Sequence, residues 1–483
     1  MENPFKGREP KRLYDFMYDV FSIPRPSGHE EIMAQYVIDF AEKRNLEYYT
    51  DDMHNVLIRK NGSVGMENLP PVLLEGHMDM VPIKELDSDH DFLKDPIDLV
   101  IDGEWVHGNK TSLGADNGCA VAIMLEILDN DELVHPPIEC IFTVQEELGL
   151  IGMKKFDLNQ IKSRRAIGLD AGSEGVFRKG VSSKYKNTFS IPLNREKICG
   201  KIYEITVHGL KGGHASVAFP LDRACAIKLM GRILYKLVTE FNVRINTVDK
   251  AVNRGVAEDC RAQITLCNQN VEAVENYLKE EQQNLLDEYA ESEPTLTIDF
   301  SECYAPDFDA LTEKAGKTVA SALYLMPFGS NRRVIERSEE MRCYTSAQHV
   351  ITFQDRMTVS FVVSTDKQRN GIALQNELKA LFTLFDAEIV EEAFEFGWDP
   401  EKTSPIRDTM RQTYIELFGS EPVINVSHGG NDCMVLKEKI PDFDVVTTAA
   451  TYPDYHTTSE RLNMSSLEKV HLLVCQTLTN LCK

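Results

Sequence analysis

The sequence PVLLEGHMD, residues 71–79, joins an apolar run to two side chains that metal sites use. The run from Pro71 to Leu74 is apolar and strand-forming, so it predicts a buried strand. In an extended chain, residues two apart point to the same side, so His77 and Asp79 would face one site. Asp79 could fix the tautomer of a metal-bound imidazole. A solvated His and Asp at a strand end would give the same pattern.

Two further acidic motifs stand at predicted element boundaries. The pentapeptide GADNG precedes an apolar helix predicted for residues 119–128, and its glycines would let a ligand approach Asp116 closely. The same letters also suit a turn with a helix N-cap. Glu146 and Glu147 close the apolar strand IECIFTV. Because adjacent side chains of an extended chain point to opposite sides, one of them could bind a metal while the other faces a bound water.

Asp170 and His456 complete a possible set of metal ligands. Asp170 closes the apolar strand RRAIG, and His456 lies in YHT near the C-terminus; each alone would be taken for a loop residue. Together the motifs offer three carboxylates and two imidazoles, a donor set that suits Zn²⁺, with Co²⁺ or Mn²⁺ as alternatives. If Asp116 bridges two metals, each receives one histidine, one further carboxylate and the shared aspartate, which leaves room for a bridging water.

The order of the predicted elements indicates an α/β fold with an inserted α+β domain. Strands and helices alternate up to about residue 190, which is typical of a domain with a covered sheet. The spacing of SGHE at residues 27–30 predicts a capping box and a helix that follows it. Because the rhythm of elements then changes, we predict a discontinuous domain of residues 1–190 and 396–483, interrupted by a second domain of residues 191–395.

Composition and charge exclude several classes of protein. The 52 Lys+Arg against 76 Asp+Glu leave a net charge of −24, which argues against nucleic acid or anionic membranes as partners. No segment has the roughly 20 unbroken apolar residues of a membrane helix, and the first residues lack the apolar core of a secretory signal. The 11 cysteines are scattered without a C-x-x-C motif. We therefore expect a cytoplasmic protein with reduced thiols and neither disulfides nor a cysteine-rich zinc knuckle.

The ordered motifs GHMDMVP, GADNG, QEELGLIG and LD, followed by GLKGGHAS and a late histidine, resemble the aminoacyl-histidine dipeptidase family of carnosinase-like, two-zinc metallopeptidases. The resemblance spans nearly the whole chain. It implies a catalytic zinc-peptidase domain with a mixed sheet, an inserted lid domain, a small peptide substrate of the Xaa-His type or a related dipeptide, and a homodimer formed through the lid. It also implies five metal ligands, with the first aspartate bridging: His77, Asp116, Glu147, Asp170 and His456.

The resemblance assigns roles to four more residues. Glu146 matches the general base, and Asp79 matches the carboxylate that orients the first ligand histidine. His214 matches a lid histidine that contacts the substrate carbonyl, a role suited to an oxyanion donor, although G-G-H after a strand also suits a plain turn. His428 stands where the family has a histidine beside the substrate pocket. The family also implies a cis peptide bond after the bridging aspartate.

The chain departs from the family pattern at several lid positions and keeps every expected ligand and base. The departures are Ala215, Ser216 and Ala218 after the lid histidine, the segment 253–257 in place of N-A-I-P-R, Val362-Val363-Ser364 in place of a strand ending in Arg-Ser, and Thr457-Thr458 in place of S-P. The preference for Xaa-His dipeptides is therefore an open question. Two other functions remain as alternatives: a deacylase of N-acyl amino acids that uses the same two metals, and a metal-binding scaffold without catalysis.

Overall fold

The computed structural model divides the chain into two compact units. The first unit is Met1–Val181 with Pro400–Lys483, and the second is Ser182–Asp399. The structure describes residues 3–171, 173–250, 255–266, 271–304, 307–335 and 337–483. Positions 253 and 254 of the segment that replaces N-A-I-P-R lie outside the described residues. The assignment of a catalytic domain and a lid domain remains a prediction from the sequence.

The elements alternate along the chain much as the sequence predicts. The first part of the first unit contains α1 (Lys11–Ser22), α2 (Glu31–Lys43), β1 (Glu47–Thr50), β2 (Val56–Lys60), β3 (Val72–His77), β4 (Leu99–Asp102), β5 (Trp105–Gly108), α3 (Ala115–Asp129), β6 (Ile138–Thr143), α4 (Ile151–Lys155), a 3₁₀ turn (Leu158–Gln160), β7 (Arg165–Gly168) and β8 (Val176–Val181). The second unit contains β9 (Ser183–Pro192), β10 (Arg195–Glu196), β11 (Lys201–His208), α5 (Ala215–Ala218), α6 (Ala226–Glu240), β12 (Arg244–Asp249), β13 (Cys260–Leu266), α7 (Val271–Glu288), β14 (Thr297–Cys303), β15 (Ala310–Leu311), α8 (Glu313–Leu325), β16 (Gly329–Val334), β17 (Arg337–Thr352), β18 (Arg356–Thr365), α9 (Gln368–Thr383) and β19 (Glu388–Glu395). The chain then returns to the first unit with α10 (Pro405–Phe418), β20 (Val423–Ser427), α11 (Cys433–Lys439), β21 (Asp444–Thr447), β22 (Arg461–Asn463) and α12 (Met464–Asn480).

The first unit is built on a mixed sheet with the strand order β1-β2-β6-β3-β7-β21-β8-β20. The central strands β6, β3 and β7 are parallel neighbours, so their carboxyl ends meet at one edge of the sheet. All residues of β3 and β6 are buried, which confirms the two buried strands predicted from their apolar sequences. The α/β class with a covered mixed sheet is therefore confirmed.

Helix α3 lies directly against β3. It is buried from Ala115 to Leu128, as its continuous apolar sequence predicts for a core helix. A Cβ atom at Gly76 of β3 would lie 2.5 Å from the Cβ of Ala120, closer than two carbon atoms can pack. Glycine at this position therefore sets the close approach of helix and strand, next to the end of the strand that carries His77.

The predicted capping box is wrong. Helix α2 begins at Glu31, and the hydroxyl of Ser27 donates to the carboxylate of Asp79, 2.7 Å away, rather than to the helix. The Glu30 carboxylate accepts from the backbone N–H of Gly28 and from that of Gln145. Ser27 and Glu30 thus each make a hydrogen bond with a loop that is distant in sequence. Local spacing cannot predict such contacts.

Among the described residues, the second unit has two large antiparallel sheets, a short two-stranded sheet of β10 and β15, and its own core. One sheet has the order β12-β13-β11-β14, and the other has the order β16-β17-β18-β9-β19. Helices such as α6, which buries an apolar face that includes Ile233 and Leu237, pack with these sheets around a hydrophobic cluster confined to this unit. This arrangement is the α+β organisation predicted for the inserted segment.

The described cysteines and helices agree with two further expectations. Every cysteine that the structure describes is a free thiol; Cys267 lies outside the described residues. None of the helices formed by the described residues combines the length and the apolar character that a membrane crossing requires.

A buried arginine ties together two loops at the carboxyl edge of the first sheet. Arg25 is 1 % exposed. One of its Nη atoms donates to the carbonyl oxygens of Met78 (2.9 Å) and Asp79 (3.2 Å), and the other donates to that of Gly114 (2.6 Å). The loop after β3 and the loop before α3 are therefore fixed relative to each other by one guanidinium.

Glu460 holds the loop before α3 from its other side. Its carboxylate, 2 % exposed, accepts from the backbone N–H groups of Leu113 (2.8 Å), Gly114 (2.9 Å) and Asp116 (3.3 Å). Burial lowers the pKa of Arg25 to about 10, while Glu460 is the first of the nearby carboxylates that oppose this change. The two charges thus compensate each other inside the protein.

We predict that Arg25→Met destabilises the first unit by about 3–5 kcal/mol, because it removes the buried positive charge near Glu460, Asp79 and Asp116 and leaves carbonyl groups without donors. The matched control is Arg411→Met on α10, whose side chain is 40 % exposed in a surface ion pair worth about 0–1 kcal/mol. Urea unfolding followed by the fluorescence of Trp105, in a Trp398→Phe background, reports on the first unit alone because the chain has 2 tryptophans. Equal stability of the two arginine variants would contradict this role for Arg25.

Candidate metal centre

The carboxyl edge of the central strands gathers the residues that the sequence singles out. His77 ends β3, Glu146 and Glu147 follow β6, and Asp170 follows β7. Since these three strands are parallel neighbours, side chains beyond their carboxyl ends converge. Asp116 enters the same place from the start of α3, and residues preceding β22 supply one more side chain, described below.

Three overlapping groups of donor atoms form at this edge. Within each group the possible ligand atoms lie within 4.8 Å of one another. The groups are His77 with Asp116 and Asp170, Asp116 with Glu147 and His456, and His77 with Glu146 and Glu147. The structure thus brings together the five side chains that the sequence singles out as metal ligands and the neighbouring glutamate.

Asp116 stands at the centre of the cluster. Its Oδ1 lies 3.2 Å from Nε2 of His77, and its Oδ2 lies 3.5 Å from Nε2 of His456. Nε2 of His456 also lies 2.6 Å from Oε1 of Glu147. Each oxygen of Asp116 therefore faces a different imidazole, as a carboxylate shared between two cations would. The peptide bond from Asp116 to Asn117 is cis, as the family resemblance implies.

Asp79 lies behind this cluster and organises it. Its Oδ1 is 3.3 Å from Nδ1 of His77, the ring nitrogen that points away from Asp116. Its carboxylate also accepts from the backbone N–H groups of Glu146 (3.1 Å) and Glu147 (3.3 Å). One buried carboxylate thus orients the imidazole and holds the loop that carries the two glutamates.

The cluster carries more negative charge than its imidazoles compensate. Burial, with the neighbouring carboxylate of Asp170 among the other causes, raises the pKa of Glu146 well above its usual range. Burial together with the repulsion of Asp116 does the same to Asp170. The pKa of His456 rises to about 10, because its hydrogen bonds to Asp116 and Glu147 outweigh the opposite effect of burial.

This donor set fits divalent cations. Its atoms are carboxylate oxygens and imidazole nitrogens, the ligands that Zn²⁺, Co²⁺ and Mn²⁺ accept, and the surplus of negative charge is what such cations neutralise. Buried carboxylates without a compensating charge are costly, so a site of this composition is consistent with bound metal.

Glu75 and Asp432 are two further buried acids near the centre, and neither is among the residues singled out from the sequence. Glu75 precedes the end of β3 and accepts a hydrogen bond from Sγ of Cys433, 3.3 Å away. Asp432 accepts a hydrogen bond from the hydroxyl of Thr143. Burial raises the pKa of Glu75 to about 8 and that of Asp432 to about 6. The sequence contains a signal for Asp432, which is an acid immediately before the apolar run CMVL at residues 433–436.

Two sequence-derived residues do not belong to these donor groups. His428 is half-buried in the loop after β20, in the first unit, and it is not part of the groups that the described residues form. His214 is exposed at the start of α5 in the second unit. Their contacts with a substrate remain predictions. Arg25 and Glu460, which hold the loops of the centre, carry no sequence signal that distinguishes them from ordinary loop residues.

The comparisons with known proteins cover most of the chain. Residues 73–480 match the model of peptidase family M20/M25/M40. The chain is 31% identical over 467 residues to the cytosol non-specific dipeptidase of Escherichia coli K12, covering 95% of each chain. It also resembles the crystal structure of aminoacylhistidine dipeptidase from Vibrio alginolyticus, with a TM-score of 0.86, 28% identity and coverage of 99% of this chain and 98% of that one. The fold alone is shared with aminopeptidase PepT from Bacillus cereus, at a TM-score of 0.61 and 16% identity.

The family match covers the strands and loops that carry all the clustered donors, from His77 to His456. The resemblance inferred from the ordered motifs is therefore confirmed, together with the hydrolysis of peptide bonds that it implies. The chain is a member of peptidase family M20/M25/M40.

Proposed function

We propose that this protein is a metal-dependent dipeptidase that hydrolyses short peptides, of the Xaa-His type or related dipeptides. The observation that carries the proposal is Asp116, which offers its two oxygens to two different histidine-containing donor groups. Two relatives that resemble the chain over almost its whole length are named as dipeptidases. The name of the Escherichia coli relative also supports a cytoplasmic location for this chain.

In this proposal the cluster holds two Zn²⁺ ions, with Co²⁺ or Mn²⁺ as alternatives. His77 and Asp170 would hold one ion, Glu147 and His456 the other, and Asp116 both. When bound, such a pair lowers the pKa of a water molecule and polarises the carbonyl group of the substrate. Two of the donor groups support this division, because they share Asp116 and otherwise consist of the residues proposed for each ion.

Glu146 is the proposed general base. It is 9 % exposed, adjacent to Glu147, and close enough to His77 and Glu147 to share a donor group with them. Its carboxylate would take a proton from the attacking water and deliver it to the leaving amine. Asp79 supports this role because it fixes the backbone N–H of Glu146 and the ring of His77 at the same time.

The remaining roles extend from the family resemblance. His214 would steady the developing oxyanion, and His428 would bind the carboxylate end of the substrate. The second unit would act as the lid, and a homodimer would form through it. Because the positions after His214 depart from the family pattern, the test of substrate preference includes dipeptides other than the Xaa-His type.

A turnover screen with and without a chelator tests this function. The substrates are Xaa-His dipeptides, other dipeptides and N-acetyl amino acids, each assayed with the metal-loaded and the chelator-treated full chain. We expect chelator-sensitive hydrolysis with the highest kcat/KM on dipeptides. Higher kcat/KM on N-acetyl amino acids would establish the deacylase instead, and chelator-insensitive turnover would exclude the metal mechanism.

We predict that Glu146→Gln lowers kcat for dipeptide hydrolysis by about 10²–10⁴, because the amide cannot accept the proton of the water. The bound metal, measured by elemental analysis, should stay at the wild-type level, since Glu146 is not one of the proposed ligands. Glu132→Gln, on an exposed loop of the same unit, is the control and should keep full activity. A variant at position 146 that turns over normally would remove the base from the mechanism.

We predict that Asp116→Ala loses both metals, whereas His456→Ala loses one of them preferentially. The reason is that Asp116 belongs to two of the donor groups, one with His77 and one with His456, whereas His456 belongs to one. The number of metal ions per chain, measured after dialysis against metal-free buffer, should fall by about two in Asp116→Ala and by about one in His456→Ala. His107→Ala on β5, outside the donor groups, is the control. Equal metal loss from the two ligand variants would contradict a shared Asp116.

A further inference from the structure

A second group of donors lies outside the catalytic centre, between α3 and α12. Glu126 is near the end of α3, and His471 and Cys475 stand four residues apart on α12, so they lie on one face of that helix. Their donor atoms lie within 4.8 Å of one another. Glu126 is eight residues beyond Gly118, about 12 Å further along α3 at the rise of a helix. The group is therefore separate from the donors around Asp116.

All three side chains are directed into the protein rather than towards solvent. Glu126 is 2 % exposed, His471 8 % and Cys475 9 %. Nε2 of His471 lies 2.5 Å from Oε2 of Glu126 and 3.5 Å from Sγ of Cys475. A carboxylate oxygen and a sulfur atom thus both lie near the same ring nitrogen of His471, which a simple ion pair does not require.

The distances suit a tetrahedral metal ion. Zinc bonds of about 2.1 Å to nitrogen and about 2.3 Å to sulfur place the two ligand atoms about 3.6 Å apart at a tetrahedral angle. The observed separation between Nε2 of His471 and Sγ of Cys475 is 3.5 Å. The distance from Nε2 of His471 to Oε2 of Glu126 is about 0.8 Å shorter than the separation expected between two ligand atoms of such an ion. A glutamate side chain can open this distance by rotation of its terminal torsions.

The charges of the donor set match one divalent cation. Metal ligation requires a thiolate and a neutral imidazole. Together with the carboxylate of Glu126, the ligating group would supply two negative charges, which one M²⁺ neutralises.

The other oxygen of Glu126 already has partners of its own. Oε1 accepts from Nδ2 of Asn130 at 3.2 Å and lies 3.7 Å from Nε of Arg12, whose side chain is 43 % exposed. These contacts hold the carboxylate from the side opposite His471, so Oε2 remains directed at the imidazole. The Arg12 guanidinium reaches solvent, which screens its repulsion of a cation.

We propose that Glu126, His471 and Cys475 form an additional metal site for Zn²⁺ or another thiophilic divalent cation, which joins α3 to α12. The donor set of carboxylate, imidazole and thiolate differs from that of the catalytic centre in its sulfur ligand, and softer cations prefer it for this reason. A bound ion at this site would link α3, whose first turn contains Asp116, to α12.

Cobalt substitution tests the site independently of catalysis. The full chain is depleted of metal with a chelator and reloaded with Co²⁺, and the near-ultraviolet charge-transfer band of a cobalt–thiolate bond is recorded. We expect this band in the wild type and in Glu146→Gln, because no sulfur belongs to the catalytic donor groups. We expect Cys475→Ala to lose this band and to bind one metal ion per chain fewer than the wild type.

The controls separate the site from folding and from the proposed function. Cys482→Ala removes a thiol that follows the end of α12 and does not belong to the donor group, so it should keep the band. His471→Asn keeps the thiol and should lose the band. Dipeptide turnover should remain in Cys475→Ala, so a failed dipeptidase assay and a failed metal site are distinct results. A wild-type protein saturated with Co²⁺ that shows no thiolate band, or a band that persists in Cys475→Ala, would overturn the proposal and leave a buried ion pair beside a thiol.

Discussion

The structure of the first unit depends on how it accommodates carboxylates crowded at one edge of a sheet. The ends of β3, β6 and β7 bring His77, Glu147 and Asp170 together, and α3 adds Asp116 between them. Buried carboxylates repel one another and lose hydration, so their assembly raises the free energy of the fold unless opposite charges or hydrogen-bond donors approach them. The surrounding residues supply hydrogen-bond donors and opposite charges that lower this free energy.

The protein supplies part of that compensation from its backbone. The carboxylate of Asp79 accepts hydrogen bonds from the backbone N–H groups of Glu146 and Glu147. The carboxylate of Glu460 accepts them from the N–H groups of Leu113, before α3, and Asp116, in its first turn. Arg25 then connects the same loops through their carbonyl oxygens. These contacts fix the loops that carry the donor side chains. The cluster is therefore positioned by groups that do not themselves belong to it.

Much of this centre could be predicted because its signals are local. An apolar strand that ends in an acid or a histidine is visible in sequence, as at His77 and Glu147, and the parallel order of such strands gives convergence. The remainder depends on tertiary contacts. Ser27 has capping-box spacing, yet its hydroxyl serves Asp79 instead of α2. Arg25 and Glu460 have no local pattern, since their roles exist only where distant loops meet.

The acids beneath the centre show that the fold also limits the charge it accumulates. Glu75 and Asp432 would add two negative charges next to the donor cluster if both were ionised. Burial raises the pKa of both carboxyl groups, and the nearby charge of Asp432 raises that of Glu75 further. Thr143 donates a hydrogen bond to Asp432. The two acids therefore resist carrying a full negative charge each, and the demand for cations is concentrated in the donor groups around Asp116.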